Sequence, residues 1–476
     1  MSIRSAVVVV ATLAWLSTSP HAPDSSARQA VTSSPLAIHP DNPHYFLWRG
    51  KPAILIGSGE HYGALLNLDF DYRQYFDTLA AEGMMLTRLF SGSYVEPEGA
   101  FNIARNTLAP KPGRFMSPWA RSTQPGYANG GNRFDLDRWD SAYFDRLKAL
   151  ATYAQTKGVV IEFTLFCPMY EDKQWNLSPM NGSNNINGIG NVGRLDVFTA
   201  DKSGGLLAVQ EALTRKIVAE LNPMDNVMFE IMNEPYQVRG VPLDWQSHIA
   251  GVIVDTERGL PKKHLISQNI ANKSGVVQPA HPAVSIFNFH YAAPEAVSAN
   301  YQLNKVIGDN ETGFKGTDDT PYRLEAWDVV MSGGGLFNHL DYSFAAGYEN
   351  GTFDYPPTQP GGGNPEFRRQ MRVLRDFIHG LDFVRMRPDD TVIADVSAGV
   401  TPRVLVLPLK TIAVFLKGGG STTTLSVRIP AGTWTVEWVD TRTGLITRRP
   451  NVSGGTVQTL AAPAYETDIA LRLLQQ

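Results

Sequence analysis

One feature constrains this chain more than any other: from Ala53 onward, short apolar runs alternate with longer amphipathic stretches. The runs are residues 53–56, 84–90, 159–166, 227–232, 264–269, 284–289, 305–308 and 335–340. Short runs without polar alternation fit strands buried on both faces, as parallel strands are when helices cover them. Between them lie helical spacings. Leu136, Trp139, Tyr143, Leu147, Leu150 and Ala154 recur every three or four residues, as on one helix face. Asn364-Pro365 opens another helix, Phe367, Met371, Leu374 and Ile378 line its face, and Gly380 ends it. Eight strands in a β-α rhythm predict an α/β protein, a (β/α)₈ TIM barrel over residues 36–385. A doubly wound open sheet is the alternative reading of the same rhythm.

From Asp389 the pattern changes. Residues 411–416, 424–429, 433–439, 445–448, 456–460 and 467–473 are short, alternating and rich in β-formers, with Gly and Pro turns between them. They predict a small C-terminal antiparallel β-sandwich domain over residues 389–476. Trp434, Val436 and Trp438 share one face of their strand, which assigns them to its core.

Composition narrows the function classes. Of 476 residues, 43% are apolar and 18% charged, which fits a packed protein rather than a disordered one. The net charge is −4 with both signs dispersed, so a nucleic-acid partner, which needs clustered Lys and Arg, is excluded. Arg4 followed by an apolar stretch over residues 6–16 reads as a secretory signal, with a polar leader up to residue 30. That implies a secreted or periplasmic protein. No run is long enough for a membrane span. The single cysteine, Cys167, excludes an internal disulfide and reads as a buried filler. Oligomeric state is not encoded legibly.

Two connections are unusually long, residues 91–132 and 167–204. Each follows a strand and therefore lies at the barrel's C-terminal face, where active sites are built. On the second, Tyr170, Glu171, Asp172 and Trp175 are candidates to line a pocket. It also contains Gly188-Ile189-Gly190-Asn191-Val192-Gly193, a literal dinucleotide fingerprint without the strand and helix that would give it meaning. No cofactor is implied.

The chemistry concentrates at two strand ends. Strand four closes with Phe229-Glu230-Ile231-Met232-Asn233-Glu234-Pro235, and strand seven with Ile307-Gly308-Asp309-Asn310-Glu311-Thr312-Gly313. Pro235 cannot continue a ladder, so Glu234 stands free at the strand mouth. Strands four and seven face each other across an eight-strand ring. Two inward glutamates there stand about 5 Å apart, the separation for double displacement at a sugar carbon.

These motifs resemble clan A of the glycoside hydrolases, the cellulase-like barrels. The resemblance implies that Glu234 is the general acid/base, that Asn233 binds the sugar 2-hydroxyl and that Glu311 is the nucleophile. It matches Arg88 to the strand-two arginine beside the nucleophile, and His290 or Tyr291 to the strand-six ring. More loosely, the opening residues 46–53 resemble apiosidase-like barrels, and the turn over residues 438–444 resembles part of their collagen-binding C-terminal domain. Strand eight departs from the clan. It reads Phe337-Asn338-His339-Leu340-Asp341-Tyr342 where many members carry a tryptophan. His339 and Asp341 there imply hydrogen bonds to a terminal sugar, hence exo action and a substrate other than cellulose. His61 and Trp327 complete the candidate sugar contacts. A metal site of His61, His290 and His339 is the rival assignment for the histidines. The sequence thus predicts a retaining glycosidase of a β-linked poly- or oligosaccharide. The alternatives are a non-catalytic glycan-binding protein on the same fold and a transglycosylase using the same glutamates.

Overall fold

A computed structural model describes Met1, residues 34–278 and residues 281–476. The expected signal and most of the leader lie outside the described residues. Eight parallel strands close into a barrel: Leu55–Gly59, Leu86–Phe90, Val160–Phe166, Val227–Met232, Ile266–Asn272, Val284–His290, Val306–Thr312 and Leu336–Leu340. Closure excludes the open-sheet alternative. A C-terminal β-sandwich follows the barrel.

The first strand starts two residues later than its apolar run. Lys51–Ala53 pairs instead with Phe46–Trp48, which pairs with Ala37–Ile38 in a small antiparallel sheet. Leu36, Phe46 and Trp48 pack against Leu55, Leu86, Val160, Met228, Ile286, Val306 and Leu336, all within the first three residues of barrel strands, and seal the lower end. Strand seven runs four residues beyond its apolar run, because Asp309, Asn310 and Glu311 continue the strand while buried.

The helices begin and end where caps fix them. Asn364 accepts the Phe367 N–H at 2.8 Å and opens Pro365–His379, whose buried face is the one the spacing gives. The helix expected from Leu136 starts later, at Ser141, because Asp140 caps it; Leu136 and Trp139 belong to the strand Asn132–Trp139. That strand pairs with Trp119–Pro125 in a hairpin at the end of the first long connection.

The sandwich packs a six-stranded sheet against a three-stranded one. Trp434, Val436 and Trp438 are buried in its core. It is fastened to the barrel by the buried Arg323–Asp468 pair, at 2.7 Å, and by Trp327 stacked on Phe415 with centroids 5.3 Å apart. Among the described residues no helix is long and apolar enough to cross a membrane.

Candidate active site

The strand ends turn sharply at the barrel mouth. Strand four finishes with the Asn233 N–H on the Phe166 carbonyl at 2.9 Å, and the next N–H, of Glu234, donates to Asn269 Oδ1 at 3.1 Å. Glu234 then takes φ 39°, a left-handed conformation unusual outside glycine. Tyr62 after strand one (φ 63°) and Tyr291 after strand six (φ 52°) do the same. Such backbone costs on the order of 1–3 kcal/mol and persists where surrounding contacts over-determine it. Here it turns three side chains into one pocket.

In that pocket Glu234 and Glu311 face each other across His290. The imidazole Nδ1 stands 3.1 Å from Glu234 Oε1 and 3.3 Å from Glu311 Oε1. The Glu234, His290 and Glu311 donor atoms all lie within 4.8 Å of one another. Arg88 supplies the second positive charge: Nη1 reaches Glu311 Oε2 at 3.2 Å and donates to the Tyr62 hydroxyl at 2.7 Å. Tyr62 in turn donates to Glu311 Oε2 at 2.7 Å. Burial alone would raise the Glu311 carboxyl, but the charge and hydrogen bond of His290, then Arg88 and Tyr62, outweigh it and hold the carboxyl at about 2. Burial likewise opposes a charge on His290, yet the two carboxylates push it up to about 10. Glu311 is therefore an anion between two fixed cations at neutral pH.

Glu234 has other company. It accepts from Tyr170 at 2.6 Å, Tyr236 at 3.2 Å and the Gln237 amide at 3.3 Å. Asn233 is locked, its oxygen on Arg88 Nη2 at 2.8 Å and its amide donating to Tyr170 at 2.9 Å. Beneath the site a buried polar layer holds Arg88 in place. Arg88 Nη2 donates to Glu230 at 2.5 Å, and Asn310 Nδ2 donates to Glu230 at 2.7 Å and to Glu162 at 3.1 Å. Burial and the neighbouring Glu230 push the Glu162 carboxyl up to about 7.

Above the carboxylates opens a pocket of about 510 Å³, walled by the aromatics Tyr62, Phe90, Phe101, Tyr170, Tyr291 and Phe314. Aromatic faces with a few convergent polar groups suit the apolar faces of a sugar ring. The first long connection contributes Glu96, Phe101 and Leu108, and the second contributes Cys167 and Tyr170.

Of the residues singled out from sequence, the structure brings together Glu234, Glu311, Arg88, Asn233, His61, His290, Tyr291 and Tyr170. Six stand elsewhere. Glu171 and Asp172 are exposed, paired with Lys173 and Arg194, and the buried Trp175 donates to the Val192 carbonyl at 2.9 Å, so none of them lines the pocket. His339 points outward, its ring 4.4 Å from Tyr322 and 4.5 Å from Phe367 on two outer helices. Asp341 is buried in an ion pair with Arg368 at 2.5 Å and accepts from Ser58 at 3.1 Å. Trp327 is fully buried between barrel and sandwich. Side chains alternate along a strand, so His339 and Asp341 share the outward parity while Asn338 reaches the interior. The three histidines form no metal cluster, since the one group of potential ligands within reach among the described residues is Glu234, His290 and Glu311. Glu60, beside His61 after strand one, holds the turn there: its carboxylate accepts the N–H groups of Gly63 and Ala64, each at 2.9 Å. Tyr62, Glu96, Phe101 and Phe314 were not singled out; only Tyr62, next to His61 at a strand end, carried a signal.

Solved structures share this fold. A glycoside hydrolase matches with a TM-score of 0.64 at 12% identity, covering 93% of this chain and 97% of that one. A glycoside hydrolase of family 5 from Bacteroides vulgatus matches with a TM-score of 0.64 at 13% identity, covering 93% of each chain. At such identity the likeness is one of fold, and it extends through both barrel and sandwich. No family profile matches the sequence, and no curated protein sequence does.

Proposed function

We propose that this protein is a retaining glycoside hydrolase, cleaving a β-linked poly- or oligosaccharide outside the cytoplasm. The observation that carries the reading is the pair Glu234–Glu311, with carboxylate oxygens within 4.8 Å at the mouth of a barrel. Retaining enzymes hold their carboxyls about 5–5.5 Å apart, whereas inverting ones need about 6.5–9.5 Å to admit a water. Glu311, kept ionised by His290 and Arg88, attacks the anomeric carbon and forms a glycosyl ester. The bond to the leaving oxygen breaks as Glu234 gives that oxygen its proton. Glu234 then removes a proton from water, which attacks the same carbon and frees Glu311. Asn233, next to the acid, bonds the sugar 2-hydroxyl, where hydrogen bonds strengthen in the transition state.

One observation favours a second reading: Glu234, His290 and Glu311 could also ligate a metal ion. One experiment separates the two. Purified protein is assayed on a panel of aryl β-glycosides before and after dialysis against a chelator. The glycosidase reading expects turnover of at least one glycoside, unchanged by the chelator. Loss of turnover that a divalent ion restores would favour the metal reading, and an inert panel would favour glycan binding without catalysis. His339 and Asp341, turned to the outer helices, lend exo action no support.

A further inference from the structure

We propose that Glu96 closes the donor end of the pocket and, with His61, selects the unsubstituted terminal sugar of a chain. The inference rests on the glycosidase reading and specifies its substrate.

Glu96 stands between two spaces. It lines the pocket of about 510 Å³ that holds Glu234 and Glu311, and also a neighbouring cavity of about 960 Å³ bordered by Asn67, Asp69, Arg105 and Lys111. The wall is rigid. The Glu96 N–H donates to the Leu108 carbonyl at 2.8 Å, and its carboxylate accepts from Tyr94 at 3.0 Å and from Asn106 at 2.5 Å. Thr107, next in the same loop, donates to the His61 carbonyl at 2.9 Å and so ties the loop to the end of strand one.

His61 supplies the second, independent observation. It is only 8% exposed and lines the pocket, yet Nδ1 has no hydrogen-bond partner and Nε2 has only the long contact to Glu96. Nε2 stands 3.5 Å from Glu96. Its ring is fixed between Tyr62 and Tyr342, with centroids 5.4 and 5.8 Å away. A buried polar group without a partner is costly, and a group held rigidly at a pocket wall is placed for a ligand to complete.

The chemistry names the ligand. A carboxylate can only accept, so the partner of Glu96 must donate, as a hydroxyl does. A non-reducing terminal sugar keeps free the ring hydroxyl through which an internal sugar is joined to the next residue. An internal sugar presents a glycosidic oxygen there instead, which has no proton to give and carries the next ring into the wall. A site built to bond a hydroxyl rejects the analogue lacking it by up to about 10⁴–10⁵-fold. Position agrees. Glu234, with Tyr170 from the strand-three loop and Tyr236 beyond strand four, stands on the leaving-group side. His61, after strand one, stacks on Tyr62, which donates to Glu311, and Glu96, in the loop after strand two, stands 3.5 Å from His61, so both lie on the nucleophile's side.

The test uses reduced β-linked oligosaccharides and an aryl monoglycoside with wild type, Glu96→Ala and Glu96→Gln. Wild type is expected to release monosaccharide alone. Glu96→Ala joins the two spaces and should release disaccharides or longer fragments, with kcat/KM on the monoglycoside lowered about 10–10²-fold. Glu96→Gln keeps the wall but loses the anionic acceptor, so product length should stay while kcat/KM falls. Monosaccharide alone from Glu96→Ala, or kcat/KM within twofold of wild type in Glu96→Gln, would overturn the role of Glu96 and leave the glycosidase reading standing. Fragments longer than one sugar from wild type would do the same. A wild type inert on every substrate ends the glycosidase reading and this proposal together.

Discussion

The two ends of the barrel are built from the same eight strands and could hardly differ more. At the lower end Leu55, Leu86, Met228 and Leu336 pack against Phe46 and Trp48, an apolar plug. A few residues further along the same strands, Arg88, Glu162, Glu230, Asn310 and Glu311 are buried together. There Tyr62, Glu234 and Tyr291 carry strained backbone. The lower end gains free energy from apolar burial; the mouth spends part of it on desolvated charge and positive φ. Strand four holds both regimes within eight residues, from Val227-Met228 to Asn233-Glu234. Changes at the mouth should therefore move catalysis, and changes at the plug should move stability.

The largest effect on turnover is expected at Glu234. Glu234→Ala should lower cleavage of a natural β-glycoside by about 10²–10⁴-fold, the usual worth of a general acid. It should leave the first step on a dinitrophenyl glycoside nearly intact, since that leaving group needs no proton. Equal losses on both substrates, measured by steady-state and burst kinetics, would remove Glu234 from the acid role.

Next comes Arg88. Arg88→Lys keeps the charge but loses the fork that holds Glu311, Tyr62, Asn233 and Glu230 at once. Turnover of the folded variant should fall about 10–10²-fold, the worth of one or two hydrogen bonds to a charged group. Turnover near wild type would take Arg88 out of the site.

The plug supplies the opposite outcome. Leu336 is fully buried and lies against Gly308 of strand seven. Leu336→Ala should cost about 2–5 kcal/mol of stability in denaturant unfolding. Its kcat under native conditions should stay within twofold. A large drop in kcat without loss of stability would erase the distinction between the two ends.

The smallest effect is the pH dependence of stability. Glu311 is depressed from 4.5 to about 2, so its contribution is full above 4.5 and lost as pH falls toward 2. His290 is raised from 6.5 to about 10, so its contribution is full below 6.5 and lost as pH rises toward 10. Their joint contribution is greatest between those ordinary values, and Glu311→Gln should flatten the acid side of a pH–melting curve. An acid side unchanged in that variant would contradict the ion cluster.

This contrast also decides what the sequence revealed. The strand starts are apolar and periodic, so all eight strands were legible, as were helix ends marked by Asn364 and Gly380. Polar residues ending a strand were legible where a motif surrounded them, as with Asn233-Glu234-Pro235. Facing was harder. His339 and Asp341 have the chemistry of a sugar site, but one step of strand parity sends them into the outer helices. Trp327 has the chemistry of a sugar contact but is the stacking partner of Phe415 instead. Glu96 and Phe101 were hidden because their placement depends on a left-handed turn or on loop contacts distant in sequence, which no periodicity records.

The central claim is that Glu311 acts as a nucleophile, and stereochemistry tests it most directly. Two successive inversions at the anomeric carbon restore the starting configuration. Proton NMR of the first minutes of hydrolysis of a β-linked substrate should therefore show the β-sugar first, with the α-anomer growing in later by mutarotation. An initial α-product would contradict the account: water would then have attacked directly, and Glu311 would not have formed the covalent intermediate.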